Sequence, residues 1–75
     1  MQISLDRLRP GLEAIVTEIN VDAALQCRLR DFGLVPGTKV CCRYRSPGGG
    51  VTALELRGSV LALRTRDLKN IRVRC

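Results

Sequence analysis

Four cysteines, Cys27, Cys41, Cys42 and Cys75, are the residues of this chain best equipped for chemistry. Thiolates hold zinc and other soft ions, and an even count in a small chain also suits disulfides. The spacing argues against a shared ion. Cys41 and Cys42 are adjacent in an alternating, strand-like run, so their side chains point to opposite faces and cannot share one ion. No Cys-x-x-Cys occurs. Met1 to Pro10 lacks the apolar centre of an export signal, so reduced thiols are expected. Cys42 is expected in the core, with Cys27 and Cys41 exposed and no metal or other cofactor bound. The chain has no histidine. Its carboxylates are scattered, and Ser4, Ser46 and Ser59 fall at caps and turns. Gly48-Gly49-Gly50 is not followed by Lys-Ser or Lys-Thr, so it is not a phosphate-cradling P-loop. Neither an enzyme nor a small-molecule substrate is expected.

The second chemical resource is positive charge. Thirteen Lys and Arg stand against 7 Asp and Glu, a formal net charge of +6. Such a surface attracts nucleic acid, anionic lipid or an acidic protein face. Arg43, Arg45, Arg72 and Arg74 form a basic patch if their strands are neighbours. Recognition of unpaired bases needs stacking platforms, however, and aromatic residues make up only 3% of the chain, with Tyr44 the one suitable ring. A basic nucleic-acid-binding module is therefore the alternative reading and not the first.

The elements that position these residues follow from periodicity and turn chemistry. Met1 to Pro10 reads as an approach segment with one turn, Leu5 to Leu8, capped by Ser4. Leu12 to Asn20 alternates as a strand whose phase shifts before Ile19, which predicts a bulge. Asp22 is a helix N-cap, and Leu25, Leu29 and Phe32 share one face of the helix that follows. Gly33 ends it, and Pro36-Gly37 suits a type II turn. Thr38 to Arg45 is a strand with Val40, Cys42 and Tyr44 inward. Ser46 to Gly50 is a loop, read as a hairpin connection and expected to be mobile. Strands Val51 to Arg57 and Val60 to Arg64 flank a Gly58-Ser59 turn of type II′. Thr65 caps a short turn, and Ile71 to Arg74 is the last strand.

Short strands with close turn signals in a 75-residue chain predict one domain, residues 1–75, of mainly β class. The expected architecture is a five-stranded SH3-like barrel, closed so that no edges remain, with one inserted α-helix at about 22–33 and a short helical turn near 65–70. No apolar run approaches the roughly 20 residues that cross a bilayer, and a cytoplasmic location is expected.

Arg28-Leu29, then Phe32 to Thr38, Ser46-Pro47-Gly48, Leu61 to Arg64 and Ile71-Arg72-Val73 occur in an order and spacing that resemble the FeoA family of bacterial ferrous iron transport accessory proteins. The resemblance runs from Leu5 to Val73. It implies a cytosolic SH3-like barrel that regulates or assembles the membrane permease FeoB, which carries a cytosolic GTP-binding domain. The membrane is then reached only through the transporter. Family members often carry Gly-Asp-Pro where this chain has Gly48-Gly49-Gly50. The same barrel resembles the C-terminal domain of DtxR-type metal-dependent repressors, but no DNA-reading helix-turn-helix is expected here. The expected partner surface is the groove between the helix and the strand after Thr38, formed by Arg28, Arg30, Leu34, Val35 and Arg43, with Leu34 and Val35 partly exposed.

Overall fold

The computed structural model describes residues 1–75. Six strands form one antiparallel sheet: β1 (Gln2–Ser4), β2 (Glu13–Ile19), β3 (Lys39–Arg45), β4 (Val51–Leu56), β5 (Ser59–Arg64) and β6 (Ile71–Arg74). One helix, α1 (Ala23–Asp31), lies between β2 and β3. Two 3₁₀ turns, Leu5–Arg7 and Thr65–Asn70, complete the chain. The strand order is β1-β6-β2-β3-β4-β5. The architecture is thus the expected SH3-like one with a strand more than predicted. Gln2–Ser4 carries too few residues to show alternation, yet it pairs Gln2, Ile3 and Ser4 with Arg74, Val73 and Arg72.

Strand pairing does not close the barrel. β1 and β5 are both edges, and the seam between them is filled by the 3₁₀ turns, which pack on each other. Leu5, Leu8 and Leu68 from those turns are at most 1% exposed. They join Val16, Leu29, Leu34, Val40, Leu54, Ile71 and Val73 in one aliphatic core. Burying each such side chain contributes about 1.5–3 kcal/mol. Ser4 makes no side-chain cap, so the first turn is held from outside: the Arg45 guanidinium donates to the Leu8 carbonyl at 2.8 Å and also to the Asp6 carbonyl.

The predicted bulge in β2 is present, between Val16 and Glu18 of the β2–β6 register. A second bulge, between Cys42 and Tyr44 of the β3–β4 register, was not legible from the alternation. It reverses the faces of the strand end. Tyr44, expected inward, is 60% exposed. Arg45, expected outward, turns over the first 3₁₀ turn. Cys42, before the bulge, is buried as expected.

Asp22 caps α1 as its sequence position demands, accepting from the Leu25 N–H at 2.8 Å. At the far end the chain forms a Schellman turn. Gly33, at φ 88°, donates to the Arg30 carbonyl, and the Leu34 N–H reaches the Leu29 carbonyl, both at 2.9 Å. This geometry seats Leu34 on Leu29 and leaves Phe32, the C-cap, 52% exposed. The expectation that Phe32 completes the buried stripe is therefore corrected: the helix ends before that residue can turn inward.

Gly37 has φ 96°, and the Thr38 N–H donates to the Val35 carbonyl at 3.0 Å, the bond of the expected turn at Pro36-Gly37. The hairpin between β4 and β5 differs from expectation. Its central residues are Arg57 and Gly58, at φ 52° and 81°, and Leu56 faces Ser59. Two positive φ values define a type I′ turn, whose twist matches the flanking strands. The Arg57 side chain lies along Gly33, where an added Cβ would meet its Cδ at 3.3 Å. Ser46 to Gly50 is the expected hairpin connection, with Ser46 Oγ accepting from the Val51 N–H at 3.0 Å.

The packing separates two residues that periodicity places on one stripe. Leu29→Ala should destabilise the fold by about 2–5 kcal/mol, whereas Phe32→Ala should stay within about 0.5 kcal/mol of wild type in urea unfolding. Equal losses at the two positions would contradict the Schellman arrangement.

Candidate interaction surface

The thiols do not converge. Cys27 and Cys75 are exposed, Cys41 is half-buried and Cys42 lies in the core, all free. No three Cys, Asp or Glu side chains come together in a way that holds a metal. Burial pushes the Cys42 thiol up, partly offset by the Arg45 charge and reinforced by neighbouring Cys41. That thiol is therefore a protonated core group and not a nucleophile.

Two grooves flank the barrel and divide the expected partner residues. The first, about 510 Å3, lies between α1 and β5 and is lined by Asp22, Leu25, Arg28, Leu63, Arg64 and Asp67 among others. The second, about 220 Å3, crosses the outer face of β3 and β4 beside the Arg57-Gly58 turn. Arg28 belongs to the first and Arg43 to the second. Arg43 is paired with Glu55 at 3.1 Å, beside a Lys39–Glu13 pair at 3.5 Å. Three of the four side chains are largely exposed and Glu55 is partly so, and each pair is worth about 0–1 kcal/mol. Arg30 is exposed. Val35 is half-buried, and its N–H donates to Thr38 Oγ1 at 3.2 Å.

Leu34 must be removed from this surface. It is 1% exposed and part of the core, because the residue after a Schellman glycine packs back on the helix. The basic patch also dissolves. β2 lies between β6 and β3, so Arg72 and Arg74 are not on a strand adjacent to Arg43, and Arg45 serves as a clamp on backbone carbonyls.

Other surface residues complete the picture. Tyr44 and Val60, at 60% and 63% exposure, stand on the outer side of the β3-β4-β5 sheet. Arg64, Arg66 and Lys69 share a third groove with Gly49 and Gly50, without a carboxylate in its lining. Tyr44 was hidden by the β3 bulge, which depends on pairing with β4, whereas the outward place of Val60 follows from the alternation with Leu61 and Leu63. For the cations of the third groove the only signal was proximity across the Gly-rich hairpin.

The geometry is that of a small antiparallel barrel with cationic grooves, in which the thiols and carboxylates do not cluster. The model of the FeoA domain matches residues 3–75, and the chain belongs to that family, whose association is with ferrous iron transport. It is similar to the FeoA protein of Chlorobium tepidum at 30% identity and a TM-score of 0.92, over 96% of this chain and 69% of that one. The FeoA-like protein of Clostridium acetobutylicum is also 30% identical, with a TM-score of 0.83 over 96% of this chain and 84% of its own. A manganese-dependent transcriptional repressor shares the fold alone: 16% identity and a TM-score of 0.87, over 97% of this chain and 41% of the repressor. No curated protein is detectably similar in sequence. No helix is long and apolar enough to cross a membrane.

The state of Cys42 carries a pH dependence. Its proton is held more tightly folded than unfolded, where a thiol ionises near about 8.5. Above that pH the unfolded chain releases the proton first, so the Cys42 contribution is complete below about pH 8.5 and declines as pH rises toward the folded value. Thermal midpoints between about pH 7.5 and 9.5 should fall in wild type and change less in Cys42→Ala, itself less stable throughout. Identical slopes would contradict a buried, protonated thiol.

Proposed function

We propose that this chain is a non-catalytic accessory protein of bacterial ferrous iron uptake, acting by contact with the cytosolic part of the FeoB permease. The observation that carries the reading is the FeoA family match over nearly the whole chain. Its physical support is a rigid aliphatic barrel whose chemistry is confined to exposed charge. The cytoplasm is the location this partner requires.

Docking would use Arg28 and Arg30 on α1, with Val35 in the turn before β3 and Arg43 on the outer face of β3. Arg28 has no carboxylate partner, since the ion pairs of the chain involve Lys39 and Arg43. Unpaired rim charges speed encounter and select the partner, and reversing one changes both association rate and salt dependence. Arg43 already has a partner, so reversing it disturbs the free protein as well.

Titration of the purified FeoB cytosolic domain should show salt-sensitive binding. Arg28→Glu should weaken it about tenfold with an unchanged melting temperature. No binding to either the isolated domain or the full-length transporter would overturn the reading. Equal binding by Arg28→Glu and Arg30→Glu would move the contact elsewhere on the barrel.

A further inference from the structure

The open side of the sheet is β5. Its register with β4 runs unbroken from Leu56–Ser59 to Val51–Arg64. A two-residue turn makes Leu56 and Ser59 a hydrogen-bonded pair, and such pairs alternate along an antiparallel ladder. Leu61 and Leu63 thus bond to β4, while Val60 and Ala62 direct their N–H and C=O groups away from it; Arg64 directs its N–H away, and its C=O, as the cap of the second 3₁₀ turn, accepts the first bond of that turn. β5 pairs with no other strand.

Edge strands are normally protected by shortness, proline, lysine or a bulge. β1 is protected by being three residues long. β5 has six residues, no proline, no lysine and no register shift. On the side of the sheet opposite the core Tyr44, Ala53 and Ala62 lie directly across from one another; Ala53 is 1% exposed, and the apolar row emerges again at exposed Ala62 on the edge. α1 stands off from β5, and the groove of about 510 Å3 between them leaves room beside the strand. Asp22 and Asp67 balance Arg28 and Arg64 in that groove. At the end of β5 the balance is lost: Arg64, Arg66 and Lys69 line the adjoining groove with no carboxylate. None of the three belongs to an ion pair.

We propose that β5 accepts an extended segment of a partner protein as an additional strand, with carboxylates at the segment's N-terminal end resting on Arg64, Arg66 and Lys69. Main-chain bonds to Val60, Ala62 and the Arg64 N–H supply affinity, and the cationic end supplies polarity. Every pairing in the sheet is antiparallel, and an antiparallel addition sets the N-terminus of the segment at Arg64. Small or β-branched side chains beside Ala62 would continue the apolar row. The proposal is independent of the transporter assignment.

The probe is the capped peptide Glu-Glu-Thr-Val-Thr-Val, with Lys-Lys-Thr-Val-Thr-Val as its counterpart, added to the full chain at millimolar concentration. Amide hydrogen exchange read by NMR should slow about tenfold at Val60, Ala62 and Arg64 with the first peptide and less than about twofold with the second. Ala62→Pro removes a free N–H outside the β4 ladder and should abolish the effect. If that variant does not fold, the double variant Arg64→Glu, Arg66→Glu takes its place and should favour the lysine peptide. Absence of protection, or equal protection by both peptides, overturns the proposal. So does protection without peptide in a concentration-dependent dimer, which would make a second copy the occupant.

Discussion

The hydroxyl of Thr38 holds the structure at the point where helix becomes sheet. It donates to the Gly33 carbonyl at 2.8 Å and accepts from the Val35 N–H at 3.2 Å. Thr38 is 5% exposed, so neither bond faces competition from bulk water. Around it the backbone is also tied to β2: Gly37 donates to the Val16 carbonyl at 2.7 Å, and Val16 to the Thr38 carbonyl at 2.9 Å. The Schellman bonds upstream complete a continuous network from Leu29 to Val16. Because α1 meets the sheet through this turn, the turn sets where Arg28 and Arg30 stand relative to Arg43.

The second constraint is the unclosed sheet. In so short a chain the core is thin, and filling the seam with turns recruits Leu5, Leu8 and Leu68 into it. Arg45 makes this possible by satisfying two carbonyls of the first turn. The Thr52 and Thr65 hydroxyls, 2.8 Å apart, share a hydrogen bond that joins the second turn to the sheet. The arrangement stabilises the barrel while leaving β5 with an unpaired edge.

Local chemistry made much of this legible. Asp22, Gly33, Pro36-Gly37 and the phase shift in β2 each have a backbone reason that reads directly from residue type, and the structure honours all of them. Bulges and seams are another matter. The bulge in β3 depends on pairing with β4, a non-local fact, so Tyr44 and Arg45 exchanged the faces that alternation assigned them. Leu34 was misplaced for a local reason that could have been read: an apolar residue directly after a helix-ending glycine packs back on the last turn. β1 was missed because three residues carry no period. The type I′ turn was misread because Arg57 adopts a conformation usually left to glycine or asparagine. On the candidate surface, the sequence supplied the cations but not their grouping. Which arginines share a groove depends on strand order, and that order put β2 between the residues expected to form one patch.

The account rests on a barrel surface, and not a reactive thiol or bound metal, being what ferrous iron uptake uses. Its most direct test is iron(II) uptake in cells lacking this protein, complemented by a variant with Cys27, Cys41 and Cys75 all replaced by serine and with permease levels held equal. The account predicts that uptake falls in the deletion and that the thiol-depleted variant restores it as fully as wild type. Uptake unchanged by the deletion, or a folded thiol-depleted variant that fails to restore it, would contradict the account.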